Sequence, residues 1–413
     1  MSFDSFRLDP RLQKGLDALG FLEPTPIQNA TIPVALVGQD ILGSAETGTG
    51  KTAAFLLPIL HNFLTSPRDG HKVRALILVP TRELALQVAE QAQTLCKHTD
   101  LRVTTIYGGV GLGNQASALQ RGVDVVIATP GRLLDHVARR NISFHALKVL
   151  VLDEADRMLD VGFLPDIRRI VQLLPRERQT MLFSATLVPS IMSLAAEVTR
   201  NPARIQVETT STPQAISQTL FQVPEHLKTE ALQQLLADEE MDSVLVFART
   251  KHRADRLVKQ LKRANIRADV IHGNRSQSQR IAALEAFRRG KARVLVATDI
   301  AARGIDVEGI SHVVNYDVPM QAEDYVHRIG RTGRAQATGS AYTLVTPLDE
   351  PQVRKIERVL NQKLARRRLE GIDYTAPAFN QPNSEAIRRY VEAQRARHPM
   401  SASPVRQRKM VTG

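Results

Sequence analysis

Two segments of this chain combine residue types that suit the chemistry of nucleoside triphosphates. In the first, a short loop, Gly48 and Gly50 lack a Cβ and let backbone N–H groups approach phosphate oxygens. Lys51 would reach the β- and γ-phosphates, and the Thr52 hydroxyl would ligate magnesium. The loop begins at Ala45, where the strict pattern has glycine. The candidate phosphate-binding residues are Thr47, Gly48, Thr49, Gly50, Lys51 and Thr52.

The second segment is acidic and follows a continuous apolar run at residues 149–152. Asp153 is placed to hold Mg²⁺, mainly through water, and Glu154 to orient and deprotonate an attacking water molecule. The alternative is an ordinary surface helix whose first acidic residues favour the helix dipole. That alternative does not account for a position directly behind a fully apolar strand. Together the two segments predict Mg²⁺-dependent hydrolysis of a nucleoside triphosphate.

Residues 327–334 carry a further signal, because arginines separated by glycines are dense, rigid donors suited to phosphate. These arginines are Arg328, Arg331 and Arg334. On a domain without its own phosphate loop, they would act as arginine fingers across a cleft. Such fingers raise turnover on the order of 10³–10⁵-fold. Direct contact with RNA phosphate is the alternative that the spacing alone leaves open.

Short apolar runs alternate with helical patterns and predict the elements that position these residues. Continuous runs are typical of parallel strands covered by helices on both faces, and ligands bind at the carboxyl ends of such strands. The predicted strands lie at residues 75–79, 125–127, 149–152, 181–183, 244–247, 270–271, 294–296 and 313–314.

The second half of the chain repeats this α/β scheme without a phosphate loop. We therefore predict one domain at residues 1–207 and a second at residues 219–371, joined by a Thr-, Ser- and Pro-rich linker at residues 208–218. A closing helix is predicted at residues 351–370. Residues 372–413 have the polar, Arg-rich composition of a basic, mostly disordered tail.

The chain has 413 residues and a formal net charge of +13, which favours a polyanionic partner. Residues 351–413 hold 14 Lys and Arg against 5 Asp and Glu, although a merely solvated tail would show the same excess. Basicity alone does not distinguish RNA from DNA or an anionic membrane. No apolar run reaches the roughly 18 residues of a membrane span. With Cys96 as the single cysteine, we expect a soluble cytoplasmic protein.

These segments, in this order, resemble the DEAD-box RNA helicases of superfamily 2 over roughly residues 1–370. The resemblance implies two RecA-like domains and an enzyme that uses ATP and Mg²⁺ and acts on RNA. Phe3 and residues 24–28 resemble the adenine-reading Q motif, in which Gln28 hydrogen-bonds the adenine edge and Phe3 stacks on the base. The resemblance also places Asp306 on the ribose, and Arg331 and Arg334 on the γ-phosphate.

The resemblance extends to motifs that couple hydrolysis to RNA. Residues 184–186 match the coupling motif, and the residues implied in coupling are Asp156, Ser184, Thr186 and His327. Hydroxyls and backbone amides at strand ends suit sugar–phosphate contacts that read no base. The implied RNA-binding residues are Pro80, Thr81, Arg82, Gly108, Gly109, Thr129, Pro130, Gly131, Arg132, Gln277, Arg280, Thr298 and Arg303.

The activity that the resemblance implies is local separation of short RNA duplexes, with little sequence preference and coupled to closure of the two domains. A DNA translocase of the same superfamily and an ATP-gated RNA clamp or annealing protein are the alternatives. Glu46 stands where the family usually carries Gln. The opening residues and the basic tail are most similar to the bacterial RhlE-type branch, with ribosomal or RNA-decay proteins as candidate partners of the tail.

Overall fold

The computed structural model describes residues 2–45, 48–66, 70, 72–207, 216–302, 309–333 and 339–376. Four candidate site residues lie outside these ranges: Thr47, Arg303, Asp306 and Arg334. Glu46, residues 208–215 of the linker and residues 377–413 also lie outside them. Within these ranges, every helix is too short or too polar to cross a membrane.

The first half of the chain builds a seven-stranded parallel sheet. Its strands are β1 (Ile41–Ser44), β2 (Ala75–Leu78), β3 (Val103–Ile106), β4 (Val125–Ala128), β5 (Val149–Leu152), β6 (Gln179–Ser184) and β7 (Ala203–Gln206). They lie in the order β3-β4-β2-β5-β6-β1-β7. Strands β1, β3 and β7 are absent from the predicted set, because Gly43, Thr104 and Arg204 interrupt their apolar runs.

Helices cover both faces of this sheet. They are α1 (Pro10–Ala18), α2 (Pro26–Leu36), α3 (Lys51–Thr65), α4 (Arg82–Leu95), α5 (Leu112–Gln120), α6 (Pro130–Ala138), α7 (Ala155–Asp160), α8 (Leu164–Gln172) and α9 (Pro189–Val198). Alternate strand residues enter different cores: Ile77 and Val151 pack with α1, α3 and α4, whereas Leu76 and Leu150 pack with α6, α8 and α9. Burial on both faces explains why these strands are continuously apolar.

The second half builds another seven-stranded parallel sheet. Its strands are β8 (Ile216–Gln222), β9 (Val244–Phe247), β10 (Ala268–Ile271), β11 (Val294–Ala297), β12 (His312–Asn315), β13 (Gly339–Val345) and β14 (Ala365–Arg367). Its helices are α10 (Lys228–Leu235), α11 (Lys251–Arg263), α12 (Gln277–Arg288), α13 (Asp299–Ala302), α14 (Ala322–Ile329) and α15 (Glu350–Leu360). The order β10-β11-β9-β12-β13-β8-β14 repeats that of the first sheet, which confirms the prediction of two related α/β domains.

The structure corrects three boundaries read from composition. Strand β8 includes residues 216–218, which composition assigns to the linker. The closing helix ends at Leu360 and not at residue 370, because Asn361 adopts a left-handed conformation (φ 49°) and the chain then forms edge strand β14 beside β8. Ile372, assigned by composition to the tail, lies in the core of the second domain, and Tyr374 packs against it there.

The order of strands in the first sheet determines what meets at its carboxyl edge. Strands β5, β6 and β1 are neighbours. The acidic segment follows β5, Ser184 ends β6, and the phosphate loop follows β1. Three segments that are far apart in sequence therefore share one edge of the sheet.

Candidate nucleotide and RNA site

The phosphate loop turns from β1 into α3 through two glycines. Gly48 (φ 89°) and Gly50 (φ 93°) have the left-handed conformation that glycine adopts without strain. Lys51, the first residue of α3, is buried, and its Nζ donates to the carbonyl of Ala45 at 2.6 Å. A buried ammonium group and the N-terminus of a long helix thus converge on the loop, which is an arrangement suited to an anion.

Residues of the predicted Q motif hydrogen-bond to the backbone of this loop. The Thr25 hydroxyl donates to the carbonyl of Thr49 at 2.8 Å, and Gln28 Nε2 donates to the carbonyl of Gly50 at 3.1 Å. Gln28 Oε1 accepts from the backbone N–H of Thr25 and so completes the capping box of α2. Phe3 is buried in the hydrophobic core, edge-on to Phe6. Contact of Gln28 and Phe3 with adenine stays a prediction.

Asp153 and Glu154 lie buried at the carboxyl end of β5. Burial raises the pKa of Asp153 to about 6, although the nearby charge of Lys51 opposes this. Burial also acts to raise the pKa of Glu154. The positive charges of Arg157, Lys51 and Arg331 outweigh that effect and hold the pKa below its usual value. Glu154 is therefore ionised at neutral pH.

The residues predicted to hold magnesium fit a hydrated cation. Among the described residues, Asp153 accepts a hydrogen bond from Glu154 N at 3.0 Å and forms no ion pair, so its buried carboxylate lacks a direct counter-ion. Thr52 lies in the first turn of α3, beside Lys51. No cluster of three His, Cys, Asp or Glu side chains that could hold a metal ion occurs in the part of the chain that the structure describes. A site formed by Thr52 and Asp153 would therefore leave most Mg²⁺ ligands to water and phosphate, as this ion prefers.

The predicted coupling residues connect α7 to the end of β6. Asp156 Oδ2 accepts from Ala185 N at 3.1 Å, and Ser184 Oγ donates to the carbonyl of Thr186 at 2.7 Å. His327 of the second domain lies close enough for its charge state to depend on this segment. Burial and the positive charge of Arg157 lower the pKa of His327, against the opposing charge of Asp156.

The described arginines of residues 327–334 have two different roles. Arg331 is buried, and its charge acts on Glu154 across the domain boundary. Arg328 instead binds within its own domain: it pairs with Asp299 at 2.6 Å and donates to Asn315 Oδ1 at 3.0 Å. Arg328 therefore stabilises the second domain and does not donate to phosphate in this arrangement. The spacing of the three arginines in the sequence predicts the same role for all of them.

The predicted RNA-binding residues of the first domain lie at neighbouring strand ends. Arg82 packs so closely on the Gly108-Gly109 turn that a Cβ on Gly109 would overlap the Arg82 guanidinium group. Arg132 Nη1 donates to the carbonyl of Val110 at 2.9 Å, on the same turn. Pro80 and Thr81 precede α4, and Thr129, Pro130 and Gly131 begin α6. The structure thus brings all of these predicted residues to one edge.

In the second domain, Gln277 and Arg280 contact Glu83 of the first domain, which is absent from the predicted site residues. Arg280 Nη2 lies 3.0 Å from Glu83 Oε2, and Gln277 Nε2 donates to Glu83 Oε1 at 3.3 Å. All three side chains are buried. Arg280 Nε and Gln277 Oε1 are also buried and have no hydrogen-bond partner among the described residues. Thr298 follows β11 and is half-buried.

Glu83 and Arg157 are the functional candidates that sequence reasoning missed. Both lie inside or beside a recognised segment. Glu83 reads locally as an acidic residue in the first turn of α4, and Arg157 as a basic residue in the last turn of α7. Their importance depends on partners that only the fold supplies. What distinguishes these two residues is that their charged side chains are buried, and burial cannot be deduced from the sequence of a short helical turn.

Comparison with known protein families finds a match for each of the two domains. Residues 25–194 match the family model of the DEAD/DEAH box helicases, and residues 227–336 match the helicase conserved C-terminal domain. The DEAD-box ATP-dependent RNA helicase CshA of Bacillus licheniformis is 40% identical over 404 residues, which cover 98% of this chain and 82% of CshA.

Two structures of a yeast protein extend the likeness to the whole fold. S. cerevisiae Dbp5 bound to RNA and ADP BeF3 is 30% identical with a TM-score of 0.80, over 95% of this chain and 99% of that one. A single-substitution variant of S. cerevisiae Dbp5, bound to Nup159, a variant of Gle1, IP6 and ADP, is 28% identical with a TM-score of 0.62, over 93% of this chain and 100% of that one. The chain therefore belongs to the DEAD-box family and is an ATP-dependent RNA helicase.

Proposed function

We propose that this helicase separates short RNA duplexes locally, with little sequence preference, and that closure of its two domains over ATP and RNA links hydrolysis to strand separation. The observation that carries this proposal is a pair of interactions between the domains, one an ion pair and the other an effect of charge. Arg331 acts on Glu154 at the nucleotide side, and Arg280 binds Glu83 at the RNA side. The higher TM-score with the structure bound to RNA and ADP BeF3 supports a domain arrangement like that of an RNA-bound relative.

On the nucleotide side, the loop amides of residues 47–50 and Lys51 hold the phosphates. Thr52 and Asp153 would hold Mg²⁺, largely through water, and the ion would offset charge on the phosphate oxygens. Glu154 takes a proton from the attacking water. We further propose that Arg331, with Arg334 outside the described residues, stabilises charge that develops on the γ-phosphate.

The remaining nucleotide contacts would select the base and the sugar. Gln28 and Phe3 are proposed to recognise adenine, and Asp306, outside the described residues, the ribose. Since Gln28 also holds the backbone of the phosphate loop, its contact with adenine would act directly on the loop's geometry. Recognition of ATP and positioning of its phosphates would then depend on one side chain.

On the RNA side, the proposed contacts are to phosphate and 2′-hydroxyl groups. Arg82 and Arg132 flank the Gly108-Gly109 turn and offer guanidinium groups and backbone amides, none of which distinguishes one base from another. Arg280 Nε and Gln277 Oε1 lie buried beside the Glu83 contact without a hydrogen-bond partner among the described residues, so RNA would reach them only after this contact shifts. Thr298 and Arg303 would extend the path, the latter outside the described residues.

The coupling segment connects the two sides. Asp156 binds Ala185 N, and Ser184 holds the turn that follows β6. Asp156 also lies near His327, so a shift of the second domain acts on both segments. We propose that this chain of contacts transmits RNA engagement to the acidic segment.

ATPase stimulation by RNA and by DNA of equal length and sequence tests the substrate assignment. We expect strong stimulation by RNA and little by DNA; equal stimulation would favour a DNA translocase.

Glu154→Gln tests the catalytic assignment. It should abolish hydrolysis while ATP-dependent RNA binding persists, since the amide keeps the shape but cannot accept a proton. If strand separation survived without hydrolysis, an ATP-gated clamp would be the better description.

The branch within the family and the tail partner are also proposals. We infer an RhlE-type branch from the opening residues and the basic tail alone, and the likeness to CshA does not decide it. Ribosomal or RNA-decay proteins are proposed as tail partners from the likeness to the family alone. Crosslinking the protein to cellular RNA and sequencing the bound RNA would identify the substrate.

A further inference from the structure

Arg157 forms a buried ion pair with the proposed catalytic base. Its Nη1 lies 2.8 Å from Glu154 Oε2, and each of the two side chains is only 5% exposed. Glu154 is the N-cap of α7 and has a left-handed backbone conformation (φ 53°), which is unusual for a residue other than glycine. One turn of α7 brings Arg157 back over the carboxylate. The pair therefore fixes the orientation of a carboxylate whose backbone is already constrained.

The surroundings of Arg157 belong to the second domain. A cavity between the domains is lined by Arg157, Phe247, Asp299, Asp324, His327, Arg328 and Arg331. The charge of Arg157 acts on His327, which is on α14. Arg157 thus lies between the carboxylate of the first domain and α14, the helix that precedes Arg331.

A general base works only when its lone pair faces the proton to be removed, so its orientation matters before its basicity. Lys51 acts on Glu154 through its charge, and its Nζ donates to the carbonyl of Ala45 at 2.6 Å. Arg157 provides a charge-assisted hydrogen bond to one named oxygen, in a buried setting where such bonds are strong.

We propose that Arg157 is a positioning residue of the ATPase site, which holds the Glu154 carboxylate in the orientation needed to receive a proton from water. This inference rests on the proposed role of Glu154 as the base. Arg157 touches neither ATP nor RNA in this scheme. Its loss should lower kcat and leave the KM for ATP and the affinity for RNA nearly unchanged.

A purely structural ion pair is the competing explanation, since removal of one partner from a buried pair destabilises a fold. Three variants separate the two explanations. Arg157→Met keeps the apolar stem without the charge, Arg157→Lys keeps the charge without the guanidinium geometry, and Arg168→Met is the matched control. Arg168 pairs with Glu197 on the exposed surface of the same domain, at 2.6 Å.

The experiment measures steady-state ATPase with saturating RNA, RNA binding with a non-hydrolysable ATP analogue, and thermal melting for each variant. For Arg157→Met we expect kcat to fall about 10- to 100-fold, with both binding measurements within about twofold of the unmodified protein. Arg157→Lys should recover part of kcat, and Arg168→Met should match the unmodified protein.

Unchanged kcat in Arg157→Met would overturn the inference, as would a parallel loss of RNA and ATP-analogue binding in a folded protein. If melting shows that Arg157→Met does not fold, Arg157→Lys decides: reduced kcat at constant KM supports the inference, and full kcat overturns it. Substantial activity in Glu154→Gln would instead overturn the proposed role of Glu154. The two failures are therefore distinguishable.

Discussion

At the scale of single residues, Gly109 determines where the guanidinium group of Arg82 can lie. It has φ 85°, a conformation that other residues rarely adopt, and Arg82 occupies the space where a side chain would begin. Gly111, two residues further on, has φ −58° and an open position. The two glycines look alike in the sequence, but only the first is required by its surroundings.

We therefore predict that Gly109→Ala weakens RNA-stimulated ATPase and that Gly111→Ala does not. The new methyl group must displace Arg82, and the left-handed conformation costs an additional 1–2 kcal/mol or so. Steady-state ATPase as a function of RNA concentration measures the effect, which should be an increase in the RNA concentration for half-maximal stimulation. Equal behaviour of the two variants would show that the position of Arg82 is unimportant.

A second prediction at this scale concerns Cys96. Burial raises the pKa of its thiol to about 12, with the Thr99 contact opposing and the charge of Asp124 adding to the rise. A folded-state pKa above the roughly 8.5 of a free thiol means that the neutral form is favoured. The resulting stabilisation is complete below about pH 8.5 and is lost as the pH rises toward 12. Iodoacetamide at pH 8.5 should alkylate the folded protein at least about 100-fold more slowly than the urea-unfolded protein; similar rates would contradict burial.

At the scale of elements, helix caps position the functional segments. Thr25 and Gln28 form the capping box of α2, and Gln28 also holds the phosphate loop. Ser276 and Gln279 form the same box at the start of α12, which carries Gln277. Each cap fixes where its helix begins, so it also fixes the direction in which the functional side chain leaves the backbone.

The close approach of α1 to α4 gives the prediction for this scale. A Cβ on Gly15 of α1 would lie 2.7 Å from Leu95 Cα, which is a backbone atom that cannot easily move. Gly15→Ala gains up to about 1 kcal/mol of helix propensity but overpacks the contact at a cost of about 1–3 kcal/mol. We expect a net loss of unfolding free energy in urea titration. Gly113→Ala on α5, where the space is open, should show no loss; the same loss in both would refute the packing argument.

At the scale of the whole molecule, the domains meet through charged residues, which form contacts that can separate in water. The Glu83–Arg280 pair is buried in the present arrangement. Loss of one partner leaves the other charge buried and unpaired, which strongly disfavours that arrangement but not the separated domains. We therefore expect loss of either partner to disfavour closure specifically.

Glu83→Gln should weaken RNA binding in the presence of an ATP analogue by about 5- to 100-fold, a loss of about 1–3 kcal/mol. RNA titration measures this affinity, and small-angle scattering of the same complex should show a larger radius of gyration. Glu90→Gln, an exposed change on the same helix, is the control and should behave like the unmodified protein. A normal affinity in Glu83→Gln would mean that closure does not depend on this pair.

The tail gives a second prediction at this scale. Because Ile372 and Tyr374 pack on the second domain, a truncation should remove residues 377–413 only. That segment contains seven Arg and Lys residues against two Glu. Its loss should reduce RNA affinity and make the dependence of log K on log salt less steep, while basal ATPase survives. An unchanged slope would indicate that the tail binds a protein and not RNA.

The sequence by itself determined the type of fold and most of the chemistry. Continuous apolar runs predicted parallel strands because both faces of each strand are buried, as Ile77 and Leu76 show by entering opposite cores. The phosphate loop and the acidic segment were recognisable because their chemistry needs particular residue types at short spacing. Strand β3 has an interrupted apolar run, and the residues of β14 were assigned to the closing helix. Both strands were missed because their pairing is stabilised by neighbouring strands and not by local pattern.

Only the tertiary structure decided which charged residues act on one another. It separated Arg328, which binds Asp299, from Arg331, whose charge acts on Glu154, although both arginines belong to one short segment. It also paired Glu83 with Arg280 and so linked two domains. Electrostatic interactions depend on distance and burial, and both are properties of the assembled fold that residue order along the chain does not contain.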